Sequence, residues 1–141
     1  MIVVVDASVA MKWFLAASPD EEHTEQALSI LENAARGSVR LVQPPHFMAE
    51  VSAVLARLKP AQALEDLYDL LHIAQQTEGG PEIYAAAIDL SVRHRHHVFD
   101  TLYHAVALHT PDAVLVTADK RYFDKVKAEG RIVWLGDFAL T

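Results

Sequence analysis

The chain has 141 residues, 52% of them hydrophobic and 22% charged, with 12 Lys+Arg against 19 Asp+Glu, a net charge of −7 and no cysteine. This predicts one globular domain over residues 1–141 with a real core, and it excludes a disordered chain, a disulfide framework, a thiol nucleophile and a cysteine-based zinc site. The acidic balance argues mildly against nonspecific nucleic-acid binding, an argument that weakens if several acids surround metal ions. The opening Met1-Ile2-Val3-Val4-Val5-Asp6 lacks the basic region of a signal peptide, and no apolar run approaches the ~18–20 residues of a membrane span. Lack of cysteine is compatible with a reducing cytoplasm, the expected location.

Taken in chain order, residues 2–5 read as a strand buried on both faces. Ser8 reads as the N-cap of a helix through about Ala16. A second helix is expected from Pro19 to Arg36, where Gly37 stops it. Arg40–Gln43 reads as a strand closed by Pro44-Pro45, and His46–Leu58 as a helix with Phe47, Val51, Val54, Leu55 and Leu58 on one face. A helix from Pro60 to about Gln75 follows, then a weak strand signal before the Gly79-Gly80 turn. Pro81 suits the first position of the next helix, which places Ile83, Ala87, Leu90 and His94 on one face. Asp100 reads as the N-cap of Thr101–His109, a helix apolar around most of its girth and therefore central. Residues 113–117 form another buried strand, Asp119 opens a helix to Glu129, Gly130 stops it, and Arg131–Leu135 is the last strand. Strands separated by helices predict an α/β fold, a mainly parallel sheet with right-handed crossovers.

Four acids stand at the ends of these elements. Asp6 and Asp119 each follow a strand, so both belong at the carboxyl edge of the sheet, where open α/β sheets bind ligands. Asp100 reaches that edge from a helix start. Glu50 lies about 40° from Val54 on the border of its helix's apolar stripe. Four carboxylates gathered there repel one another and call for a cation, and hard oxygen donors suit Mg²⁺ or Mn²⁺. Ser8 and Thr117, each two residues from an acid, are placed to hold carboxylates or bound water. Lys120 and Arg121 are candidates for substrate phosphates. The histidines of the basic stretch Arg93–His97 lack the spacing of a zinc helix and read as surface or substrate-side residues.

Four blocks carry a family resemblance. Val4-Val5-Asp6-Ala7-Ser8-Val9-Ala10 resembles the start of a PIN domain, specifically of the VapC-type toxin ribonucleases. So do Ala49-Glu50-Val51, the segment Phe99-Asp100-Thr101-Leu102-Tyr103-His104-Ala105, and Val116-Thr117-Ala118-Asp119-Lys120, in the same order and at similar spacing across essentially the whole chain. Thr101 departs from the alanine common at its position. The resemblance implies a three-layer α/β/α sandwich and metal-dependent endonuclease cleavage of RNA by Asp6, Glu50, Asp100 and Asp119. It also implies a cognate antitoxin and a homodimer. Asp124 is the nearest candidate for a fifth acid.

Other classes are weaker. A phospho-acceptor receiver wants paired acids at the first strand, but Val5 precedes Asp6, and no lysine follows the last strand at Trp134-Leu135-Gly136. A haloacid-dehalogenase-like phosphatase wants Asp-x-Asp, but position 8 is Ser8. A PIN fold serving RNA processing or RNA binding rather than toxicity is a third alternative.

Overall fold

A computed structural model describes residues 1–73 and 75–140. Five strands form one sheet: β1 (Ile2–Val5), β2 (Arg40–Gln43), β3 (Gln75–Thr77), β4 (Ala113–Thr117) and β5 (Ile132–Trp134). Their order is β3-β2-β1-β4-β5 and every neighbouring pair is parallel. Seven α-helices accompany them among the described residues: α1 (Ala7–Leu15), α2 (Thr24–Arg36), α3 (Phe47–Leu58), α4 (Ala63–Leu71), α5 (Pro81–His94), α6 (Val98–His109) and α7 (Lys120–Val126). The sheet grows outward from β1 through β2 to β3, then back across to β4 and β5. With right-handed crossovers, α1–α4 cover one face and α5–α7 the other, giving the three-layer sandwich. The strand order reverses between β1 and β4, which opens a crevice at their carboxyl ends.

The core follows from the apolar runs. Val3, Val4, Val5, Leu115 and Val116 are fully buried, and so are all seven α6 residues from Thr101 to Ala107. That unbroken burial makes α6 the central helix; it packs across β4, β1 and β2. Thr101 satisfies its buried hydroxyl on the Ala87 carbonyl of α5 at 2.7 Å, which lets a threonine replace a smaller residue there. Gly37 closes α2 at φ 84°, a left-handed conformation that favours glycine.

One seam of the sheet is unusual. The pairing of β1 with β2 runs through Ile2–Arg40 and Val3–Leu41. At Val5 a side chain takes over: the buried Gln43 amide accepts from the Val5 N–H at 2.9 Å and donates to the Val5 carbonyl at 2.7 Å.

Several boundaries differ from the sequence expectations; the helix expected from Pro60 begins at Ala63, and the one expected to reach Glu129 is α-helical only to Val126. Asp6, not Ser8, caps α1 and accepts from Val9 N. The second helix begins at Thr24, because Ser18 and Glu21 close turns, Glu21 pairs with Lys12 at 2.9 Å, and His23 turns left-handed at φ 57°. The fourth helix ends at Leu71, freeing Gln75–Thr77 to be an edge strand beside β2. The central helix begins at Val98 with His97 at its cap, so Asp100 lies in the first turn rather than capping it.

Candidate active site

Asp6 is built into the seam between β1 and β4. Ser8 Oγ donates a short hydrogen bond to Asp6 Oδ1, and Thr117 Oγ1 donates to Oδ2 at 2.5 Å. Each hydroxyl also accepts a backbone N–H from the turn after β4: Ala118 N to Ser8 at 3.0 Å, and Asp119 N to Thr117 at 3.1 Å. The two hydroxyls therefore bolt the β4–α7 turn to the acid that ends β1. Asp119 is held independently as the cap of α7, accepting from Tyr122 N at 3.0 Å.

Asp6 as a residue is half-buried. Burial pushes its carboxyl up to about 6, against the hydrogen bonds from Ser8, Thr117 and Val9, and the Asp100 charge adds to the rise. An ionised Asp6 thus lacks a compensating positive charge.

Glu50 reaches the cleft from the first turn of α3. Tyr103 of α6 donates to its Oε1 at 2.6 Å, and His46 Nε2 lies 3.2 Å away. Burial pushes Glu50 up, but these hydrogen bonds and the His46 charge outweigh it and hold the carboxyl below its ordinary range. The Tyr103 phenol is raised by burial, then by Glu50, Asp6 and Asp100. The Tyr122 phenol is raised by burial, then by Asp100, Asp6, Glu129 and Asp119. Contacts link the four acids in sequence: Thr117 joins Asp6 to the Asp119 turn, Asp100 lies within 4.8 Å of Asp119, and Tyr103, which bonds Glu50, stands on the same helix as Asp100.

The tightest group among the described residues contains a histidine that spacing alone reads as a surface or substrate-side residue. His96, Asp100 and Asp119 each offer one atom within 4.8 Å of the others. His96 Nε2 lies 2.7 Å from Asp100 Oδ2, and Lys125 Nζ lies 3.1 Å from His96 Nδ1. An ammonium can only donate, so it assigns Nδ1 as acceptor and Nε2–H as donor to Asp100. The imidazole orients the carboxylate rather than presenting a lone pair to an ion. Its ring packs on Tyr122, centroids 4.6 Å apart. Spacing hides this role, since the pairing partner Lys125 lies 29 residues further along the chain.

A divalent cation fits this donor set. The available donors are carboxylate oxygens, which suit Mg²⁺ or Mn²⁺ over softer ions. From the tight group, Asp100 and Asp119 would hold such an ion; Asp6 and Glu50 stand outside that group, Asp6 joined to the Asp119 turn through Thr117 and Glu50 bonded to Tyr103.

The remaining candidates separate. Arg121 lines an open cavity beside His96. Lys120 is engaged elsewhere, with its ammonium 4.6 Å from the Trp134 ring centroid and 3.5 Å from Asp124. Asp124 pairs with Lys120 and, at 3.9 Å, with Lys127. No helix among the described residues is long and apolar enough to cross a membrane.

Among solved structures, VapBC-1 from nontypeable Haemophilus influenzae shares the fold at TM-score 0.63 and 17% identity, over 97% of this chain and 100% of that one. PAE2754 from Pyrobaculum aerophilum does so at TM-score 0.60 and 20% identity, over 96% of this chain and 90% of that one. No curated protein sequence matches the chain. The PIN domain model matches residues 3–129, nearly the whole chain including all four acids, and the protein belongs to the PIN domain family.

Proposed function

We propose that the protein is a metal-dependent endoribonuclease, the toxin of a VapBC-type toxin–antitoxin pair, with Asp6, Glu50, Asp100 and Asp119 as its catalytic acids. What supports this reading is a chain of contacts inside a PIN domain: Thr117 links Asp6 to the turn that carries Asp119, Asp100 lies within 4.8 Å of Asp119, and Glu50 bonds Tyr103 on the helix that carries Asp100. The VapC-like blocks around those acids, and the shared fold of VapBC-1, support the toxin assignment.

In this mechanism Asp6, Asp100 and Asp119 would hold the cation, with Glu50 as a further ligand, direct or through water. Mg²⁺ or Mn²⁺ bound there supplies Lewis acidity to the scissile phosphate and its attacking water. Ser8 and Thr117 fix both oxygens of Asp6, and His96 fixes one oxygen of Asp100. Glu50, kept ionised by Tyr103 and His46, would accept a hydrogen bond from the attacking water where it is not itself bound to the ion.

The partner proposals rest on exposed apolar side chains. Leu64, Tyr68 and Leu71 are exposed on α4, and Tyr84, Ile88 and Val92 form a stripe along α5. These faces suit an antitoxin and a second copy of the chain.

The direct test is incubation of purified protein with total cellular RNA, in Mg²⁺ or Mn²⁺ against chelator, beside Asp6→Asn. Discrete metal-dependent fragments, absent in the variant, are expected. Intact RNA despite demonstrated metal binding would sink the nuclease reading.

A further inference from the structure

The cations of the chain differ in how they are employed. Lys12, Lys59, Arg93, Lys120 and Lys127 each pair with a carboxylate. Arg36, Arg40, Arg57 and Arg131 have no acidic partner among the described residues and lie elsewhere on the chain, whereas Arg95, Arg121 and Lys125, also without one, come together. These three, with Ser91, His96 and His97, line one open cavity of about 420 Å³.

The backbone around the cavity is built to present Arg95. This residue takes φ 51°, ψ 54° at the end of α5, the left-handed conformation that glycine usually supplies. The turn is tied from both sides: Ser91 Oγ donates a short hydrogen bond to the His96 carbonyl, His96 N donates to the Ser91 carbonyl at 3.1 Å, and Lys125 Nζ lies 3.5 Å from the Arg95 carbonyl. An arginine thus occupies a place whose geometry favours glycine, on the rim of a cavity it shares with Arg121 and Lys125.

The cavity adjoins the acid centre through a single imidazole. Lys125 meets one nitrogen of His96, and Asp100 meets the other. A nucleic-acid strand carries phosphates at short, regular intervals. One phosphate over the acid centre, once a cation is bound there, therefore sets a neighbour near the basic cavity.

We propose that this cavity seats the phosphate adjacent to the scissile one in the RNA strand, with Arg95, Arg121 and Lys125 as its binding groups. The assignment rests on the nuclease reading, since the acid centre defines which phosphate is cut. Lys125 additionally fixes the His96 tautomer, so Arg95 and Arg121 are the cleaner probes.

The test is fluorescence anisotropy of a labelled 12-nucleotide single-stranded RNA across a salt series, in Mg²⁺, with Asp6→Asn as background to suppress cleavage. Arg95→Gly with Arg121→Gln is expected to weaken binding by at least 10-fold and to flatten the log-log salt dependence by about 0.7 for each phosphate interaction removed. Lys127→Gln, away from the cavity, is expected to leave both unchanged. Arg95→Gly alone is expected to keep or raise Tm while weakening RNA binding, because glycine suits that backbone. Unchanged affinity and slope in the double variant would overturn the proposal, as would Arg95→Gly losing affinity only in step with a fallen Tm. Binding of polyglutamate through Arg95 and Arg121, with no RNA bound, would assign the cavity to a protein partner and overturn it too. Cavity-dependent RNA binding without metal-dependent cleavage by the unsubstituted chain would uphold the cavity and remove the nuclease. Cleavage and binding both indifferent to the cavity variants would remove the cavity and uphold the nuclease.

Discussion

Asp6 and Asp119 leave strands, whereas Glu50 and Asp100 ride on helices, and the two pairs are held by different means. Asp6 has both oxygens fixed by hydroxyls that also grip the next turn, and Asp119 caps a helix. These bonds are short-range extensions of the sheet itself. Glu50 and Asp100 instead lean on aromatic side chains, Glu50 on Tyr103 and His46, and Asp100 on His96. The strand half is tied to backbone N–H groups, whereas the helix half is held by side chains alone.

Breaking the strand half has the largest expected effect. Asp6→Asn should lower metal-dependent RNA cleavage by at least about 100-fold, as removal of a proposed ligand rather than of its support. The same variant should be more stable than the unsubstituted chain in chelator at neutral pH. The folded Asp6 pKa is raised to about 6 from 3.8. A raised carboxyl favours the folded state while protonated, below about pH 4, and that contribution is lost as pH rises through about 6. The gain for Asn at pH 7–8 is at most about 3 kcal/mol, reduced by solvent in the cleft, and vanishes near pH 4. Thermal melts across pH in chelator measure this; a variant melting below the parent at pH 8 would refute it.

Removing the bolts comes next. Thr117→Val should cost roughly 10–100-fold in Mn²⁺ affinity by calorimetry, because Asp6 loses its anchor while the volume is kept. Thr117→Ser should restore most of it, and equal loss in both variants would deny the hydroxyl its role. Tyr103→Phe probes the helix half and should cost about 10-fold in Mn²⁺ affinity. His96→Gln should have the smallest effect, a few-fold, since glutamine can still donate to Asp100. A His96→Gln loss larger than that of Thr117→Val would reverse the ranking of the two halves and make His96 a ligand.

The buried strands and the four acids are legible in the sequence because they follow from local rules. Continuous β-branched runs mark doubly covered strands, and an acid after such a strand lies at the carboxyl edge wherever the crossovers go. Gln75–Thr77 gives only a weak signal because an edge strand with one neighbour needs no apolar run, and its residues are partly or fully exposed. Ser8 reads as a cap because serine and aspartate both suit that position, and only the backbone turn decides in favour of Asp6. Asp100 misleads for a similar reason: aspartate suits a cap, and only the backbone shows that the helix already begins at Val98, with burial starting at Thr101. Spacing cannot find His96, since its role is set by a lysine on another helix.

Gln43 leaves a different consequence. A peptide group paired within a strand is released only by unzipping its neighbours, but the Val5 peptide is fastened by a side chain that turns about its own bonds. One rotamer of Gln43 is therefore a latch on the residue just before Asp6. Opening it would loosen the acid's backbone without melting the sheet, so the Val5 amide should exchange hydrogen sooner than those of Val3 and Val4.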